Sequence, residues 1–270
     1  MIIDFHTHIF PDKIAQRTIE FLSKKGGATP FSDGTVGGLL SEMSEGGVDL
    51  SVTLPVVTNP AQFDSINRFA ASINEQYSSS DGKRLISFGG IHPLCDNIEE
   101  KMKLIKELGL LGVKIHPDYQ ETYINDERYI KILEAARELD LIVVTHAGID
   151  MGYRDVPVKC PPQLAKEVIR RVPGVKLVLA HLGGSEMAGE VYYTLCGEDV
   201  YFDTAYVLRY TDSEIFNKIL KKHGEDRILF ATDSPWSGMK EDLEILNSYN
   251  LPKETLEKIL YKNAKKLLKL

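Results

Sequence analysis

The chain is poor in sulfur and in tryptophan: it has three cysteines (Cys95, Cys160 and Cys196) and one tryptophan in 270 residues. An odd, scattered cysteine set without a Cys-x-x-Cys pair excludes a disulfide mini-domain and reads as reduced thiols in a cytoplasmic protein. No apolar run approaches the about 18 residues that a membrane helix needs. The opening Met-Ile-Ile-Asp-Phe-His lacks the basic start and long apolar stretch of an export signal. Basic surplus is absent too: 32 Lys and Arg against 39 Asp and Glu leave a net charge of −7, which excludes nucleic acid as the main partner. No repeat, low-complexity tract or linker divides the chain, so residues 1–270 are expected to form one domain.

What the sequence does contain is alternation. Apolar runs at Ile2–His6, Ser51–Val57, Leu85–His92, Gly112–His116, Leu141–His146, Lys176–His181, Val200–Thr204 and Ile228–Asp233 are rich in Val, Ile and Leu. Near-continuous runs of this kind suit strands buried on both faces of a parallel sheet. The segments between them carry helical stripes, such as Phe63, Ile66, Phe69 and Ile73, or Tyr129, Leu133 and Ala136 behind a capping Asp126. Asp96-Asn97-Ile98-Glu99 reads as a capping box. Eight strand–helix repeats within about 250 residues describe an α/β fold, a single (β/α)8 TIM barrel with no additional N-terminal domain. The long first gap, Pro11–Gly47, is Gly-rich and is placed to cover the barrel mouth. The Lys-rich Glu254–Leu270 reads as a terminal helix packed on the barrel.

Active sites of such barrels lie at the C-terminal ends of the strands. Six of the seven histidines fall there: His6, His8, His92, His116, His146 and His181, while His223 reads as a surface residue at a helix end. Six buried imidazoles at one rim would each need a polar partner, which points to a shared task. Imidazole is the commonest metal ligand and carboxylate a frequent companion. Period-two alternation puts His6 and His8 on one strand face. His146 and Asp233, from across the ring, complete a candidate set of three histidines and one aspartate, with water entering as a further ligand.

Asp4-Phe5-His6-Thr7-His8, Thr145-His146-Ala147-Gly148, Ala180-His181-Leu182-Gly183-Gly184 and Ala231-Thr232-Asp233-Ser234-Pro235, in this order, resemble the amidohydrolase superfamily. The closer resemblance is to its compact "amidohydrolase 2" branch, and it extends to Lys262-Asn263-Ala264 near the C-terminus. That branch includes hydrolases, lactonases and non-oxidative decarboxylases of the aminocarboxymuconate-semialdehyde type. The resemblance implies that His6, His8, His146 and Asp233 hold one divalent metal ion, expected to be zinc. It implies that His181 handles the proton of a metal-bound water, and that Asp233 shuttles it. Lys114 is expected in the polar interior of the barrel, a carboxylated bridge between two metals being the alternative. Barrels of the branch are often dimers, so a homodimer is the expected assembly.

The expected reaction is hydrolysis of an ester, lactone or amide bond in a small molecule by a metal-activated water. The alternative is a decarboxylase on the same metal shell. A metal-binding scaffold without catalysis and a metal-free lactonase are weaker rivals. Long loops after the fifth and seventh strands carry Tyr153, Arg154 and Lys159, then Tyr206, Arg209 and Tyr210. Arginine suits bidentate carboxylate recognition, so an acidic substrate is expected, held by Arg154, Arg209, Tyr153, His116 and His92 with Trp236 as a wall.

Overall fold

The computed structural model describes residues 1–78 and 84–270. Nine strand segments are present among the described residues: β1 (Ile3–Thr7), β2 (Leu50–Thr53), β3 (Arg84–Ser87), β4 (Gly89–Gly90), β5 (Gly112–Ile115), β6 (Ile142–Thr145), β7 (Lys176–Leu179), β8 (Tyr201–Asp203) and β9 (Ile228–Leu229). All pairings are parallel, in the order β1-β2-β3 and β4-β5-β6-β7-β8-β9. The alternation of these strands with helices is the (β/α)8 barrel expected from the apolar runs.

β3 and β4 are one strand position that forks. Its first half pairs with β2 and its second half with β5. Two asparagines of the helix Phe63–Tyr77 satisfy the backbone at the fork. Asn74 accepts from Ser87 N and donates to Ser87 O, and Asn67 does the same for Gly90. Unpaired buried backbone groups are costly, so polar side chains belong on this helix's inner face.

The other seam joins the first strand to the last. Phe5 N donates to Phe230 O at 2.9 Å, Asp233 N to His6 O at 2.8 Å, and His8 N to Ser234 O at 2.6 Å. The β1–β2 register slips between Asp4 and Thr7. Simple alternation therefore does not describe this strand: Ile3 and Phe5 join an apolar cluster with Val52, Phe88, Val144 and Leu229, yet His6 and His8 beyond the slip still converge.

Helices cover the sheet as their stripes require. Tyr129, Leu133 and Ala136 are buried on Glu127–Glu138, and Asp126 caps that helix by accepting from Arg128 N. The capping box expected at Asp96–Glu99 does not form: Asn97 sits at the helix start with φ 49° and makes no side-chain cap. Pro11–Gly47 holds two helices, Asp12–Gly26 and Val36–Gly46. The segment between them lies against the loop after β9, with Phe31 N donating to Pro235 O at 2.7 Å. The C-terminal helix runs from Lys253 to Leu268 through one π turn. Its Asn263 amide donates to Glu225 O and Ile228 O, tying the helix to the start of β9. His223 is a core residue rather than a surface one: it stacks on Phe202 at 3.9 Å and meets Val200 O at 2.9 Å. No helix among the described residues is long and apolar enough to cross a membrane.

Candidate metal centre

Three ligand-type atoms meet at the β1–β9 seam. His6 Nε2 lies 3.2 Å from His8 Nε2 and 3.2 Å from Asp233 Oδ1, and His8 Nε2 lies 3.0 Å from the same oxygen. Donors bound at about 2.0–2.2 Å around one ion stand this far apart.

Proton positions sharpen the reading. His6 Nδ1 faces Asp203 Oδ2 at 2.9 Å, and His8 Nδ1 faces Leu54 O at 2.8 Å. A carbonyl or carboxylate oxygen only accepts, so both imidazoles carry their proton on Nδ1 and present bare Nε2 lone pairs inward. Asp233 adds an anionic oxygen. Lys114, buried beneath, brings its ammonium to 3.0 Å from His6 Nε2, and burial lowers its pKa to about 8. His8 and Asp233 are left facing each other as acceptors with no proton between them. That arrangement fits a cation, and the Nδ1 partners are the outer contacts that orient metal-bound histidines.

Two of these residues occupy unusual backbone: Asp233 has φ 70° and His181 φ 61°. Such conformations concentrate where the fold must aim a side chain.

His146 lies outside this group. His181 Nδ1 faces Ala205 O at 2.9 Å, so its proton sits there and its Nε2 is bare. That Nε2 lies 2.9 Å from His146 Nδ1, which therefore donates to it. His146 Nε2 is then an unprotonated, buried nitrogen without a hydrogen-bond partner. His146 stacks on His116 at 4.4 Å, His116 on Tyr119 at 3.9 Å, and Tyr119 tilts against Tyr153 at 5.4 Å. Lys25 lies 3.6 Å over the Tyr153 ring and closes this column from the first helix.

The remaining expected residues are dispersed. His92 is buried and its Nδ1 accepts from Leu94 N within its own loop. Arg154 is exposed and paired with Glu186. Arg209 Nη2 donates to Ser237 Oγ at 2.8 Å, 3.9 Å from the buried Asp242, over the Phe31 ring. Trp236 is half-buried in the turn after Asp233. Cys160 is fully buried and burial pushes its thiol up, which removes it as a nucleophile. Three acidic residues that sequence reasoning missed complete the area. Asp203 bridges His6 and the backbone of His181 and Ala205. Asp150 Oδ2 is 3.4 Å from His116 Nε2, and Asp118 Oδ2 is 3.9 Å from His146 Nε2. Each follows a strand end by zero to five residues, which was the available signal.

The amidohydrolase family model of the amidohydrolase 2 branch matches residues 3–270, and the chain belongs to that family. A 2-amino-3-carboxymuconate-6-semialdehyde decarboxylase of Dictyostelium discoideum is 25% identical over 169 residues, 54% of this chain and 47% of that protein. The matched stretch thus spans about half of that relative's length. A 2,6-dihydroxybenzoate decarboxylase from Rhizobium superposes with a TM-score of 0.72 at 16% identity, over 99% of this chain and 98% of the other. A 5-carboxyvanillate decarboxylase from Novosphingobium aromaticivorans, with bound manganese, gives 0.74 at 14% identity, over 100% and 97%. At these identities the structural likeness establishes the fold. The expectation of hydrolysis is corrected by these findings: the named relatives are decarboxylases, so the alternative reading takes its place. The metal ligands could not reveal this, because one shell serves both reactions. The chain is thus an enzyme of the amidohydrolase family with His and Asp groups able to hold a metal ion; zinc has no support beyond the original resemblance, and the neighbour carries manganese.

Proposed function

We propose that this chain is a metal-dependent, non-oxidative decarboxylase of a small carboxylated aromatic or muconate-type acid. The observation that carries the metal is the convergence of His6 Nε2, His8 Nε2 and Asp233 Oδ1 with no proton between the last two. The decarboxylase relatives support the reaction type. Decarboxylation also requires a carboxylate on the substrate, in keeping with the acidic ligand expected from the sequence.

His6, His8 and Asp233 would hold the ion, with Asp203 and Leu54 O fixing the two rings. A bound divalent ion supplies Lewis acidity toward a substrate oxygen. Lys114, 3.0 Å from His6, adds positive charge at the floor of the site. The carbon–carboxyl bond breaks, its electron pair stays on carbon, and a proton must replace CO2. That proton is taken up from water in each turnover, and the hydrogen-bonded pair of His181 Nε2 and His146 Nδ1, 2.9 Å apart, is proposed to pass it to the carbon. His116 and Tyr153, stacked outward from His146, are proposed as the substrate-facing wall.

The test is CO2 release from 2,6-dihydroxybenzoate, 5-carboxyvanillate and aminocarboxymuconate semialdehyde, with protein loaded separately with Mn2+ and Zn2+. Release of one CO2 per product formed, abolished in His8→Ala, is expected. No release from any of the three by fully metal-loaded protein, or release indifferent to metal removal, would overturn the proposal.

A further inference from the structure

Asp233 holds a left-handed backbone, φ 70°, and such a conformation persists only where its surroundings fix it. The N–H groups of this stretch show what does so. Asp233 N donates to His6 O at 2.8 Å. Thr232 N, one residue earlier, donates to Asp4 Oδ1 at 3.1 Å, and Thr232 Oγ1 donates to Asp4 Oδ2 at 2.5 Å. The same hydroxyl oxygen accepts from Ser234 N, one residue later, at 3.1 Å. Asp4 therefore holds the N–H groups on either side of Asp233, one directly and one through the Thr232 hydroxyl. The other groups of Ser234 are engaged elsewhere: its carbonyl receives His8 N, and its hydroxyl donates to Glu42.

Asp4 reaches the histidine strand as well. Its Oδ1 also accepts from His6 N at 3.1 Å. One side chain is thus bonded to the backbone of His6 and to that of both neighbours of Asp233, two residues whose Nε2 and Oδ1 stand 3.2 Å apart. Asp4, Thr232 and Ser234 are all fully buried, so water does not substitute for these bonds. A carboxylate is costly to bury, and the hydrogen bonds offsetting this one all come from the two strand ends that carry the trio. The Thr232 hydroxyl has one proton, directed at Asp4, and keeps a lone pair for Ser234 N.

We propose that Asp4 is a positioning residue for the ion: through Thr232 it fixes the backbone that aims Asp233 Oδ1 at the imidazoles of His6 and His8. Its own oxygens are occupied by backbone and hydroxyl donors, so it acts through Asp233 and not as a ligand. The inference rests on the trio being the seat of an ion, as proposed above, and is independent of the reaction catalysed there.

Binding of Mn2+ tests it without substrate. Full-length metal-free protein is titrated with Mn2+, free ion being followed by electron paramagnetic resonance, and urea unfolding of the metal-free protein is measured alongside. Thr232→Val keeps the shape and deletes the hydroxyl link, so Mn2+ affinity should fall by about 10- to 100-fold. Thr232→Ser restores the hydroxyl and should stay within about threefold of wild type. Asp4→Asn turns an amide NH2 toward Thr232 Oγ1 and should weaken binding as Thr232→Val does. The double variant should lose little more than either single one, because both cut the same link. A role in folding alone would lower the unfolding free energy and leave the Mn2+ affinity of the folded variants unchanged; affinity within about twofold of wild type in Thr232→Val, or in Asp4→Asn should Thr232→Val not fold, would overturn the proposal. Thr232→Ser as weak as Thr232→Val, or fully additive losses in the double variant, would overturn it equally. Wild-type protein that binds no Mn2+ would remove the ion seat and this inference together, whereas a failure confined to the variants leaves the seat standing.

Discussion

At the scale of the residue, the metal centre depends on where protons sit, and Asp203 decides that for His6. Its Oδ1 accepts from two backbone N–H groups, of His181 and Ala205, and its Oδ2 receives His6 Nδ1. In Asp203→Asn the amide oxygen must stay with the two backbone donors, which leaves the NH2 group facing His6 Nδ1. Two donors cannot share that contact, so His6 would move its proton to Nε2 and lose its ligand lone pair. Metal affinity should fall by about 10- to 100-fold, the usual cost of disturbing an outer partner of a metal-bound histidine. Competition of the variant and wild type for a chromophoric chelator measures it; affinity within twofold of wild type would show that Asp203 does not set the His6 proton. The rim histidines were legible from sequence because each closes an apolar run. Asp203 was not, because an aspartate after Tyr201-Phe202 looks the same whether it faces a histidine or water.

At the scale of the element, the loops that carry His146 and His181 are locked together by one glycine. Gly148 has φ 82° and pairs with Ser185 across an isolated parallel bridge. A Cβ there would lie 2.2 Å from Ser185 N and 2.5 Å from Ser185 O, both backbone atoms that cannot swing aside. Gly148→Ala should therefore destabilise the fold by roughly 3 kcal/mol, combining overpacking with the left-handed backbone cost. Urea unfolding with the slope held constant would show it, and a loss below about 1 kcal/mol would mean that these loops can separate. The strand and helix order was readable from hydrophobic periodicity alone. The fork at β3–β4 and the slip in β1 were not, because Asn67 and Asn74 satisfy backbone groups whose exposure is known only once neighbouring strands are in place. The same holds for His223: the Lys-rich context of Lys221-Lys222-His223 suggested solvent, whereas helical geometry turned the imidazole onto Phe202.

At the scale of the whole molecule, buried neutral histidine sets a pH dependence. Burial lowers the His223 pKa from its ordinary value near 6.5 to about 4. Between these values the unfolded chain binds a proton that the folded protein refuses, so stability is complete above pH 6.5 and is lost as pH falls toward 4. The full contribution is on the order of 3 kcal/mol. His223→Gln should flatten the decline in unfolding free energy across that window relative to wild type, and parallel profiles for the two proteins would refute the assignment. His116 is shifted downward by burial as well and acts in the same direction.

The seam between the first and last strands has a consequence for how the protein comes into being. The proposed ion-holding atoms belong to residues 6, 8 and 233, which pair only where the Asp233 backbone meets His6. Synthesis delivers His6 and His8 well before Asp233, so the trio cannot assemble until the strands between them have been made and folded into place. Loading of the proposed ion would thus wait until the first and last strands have paired, and a chain short of that point would offer it no complete seat.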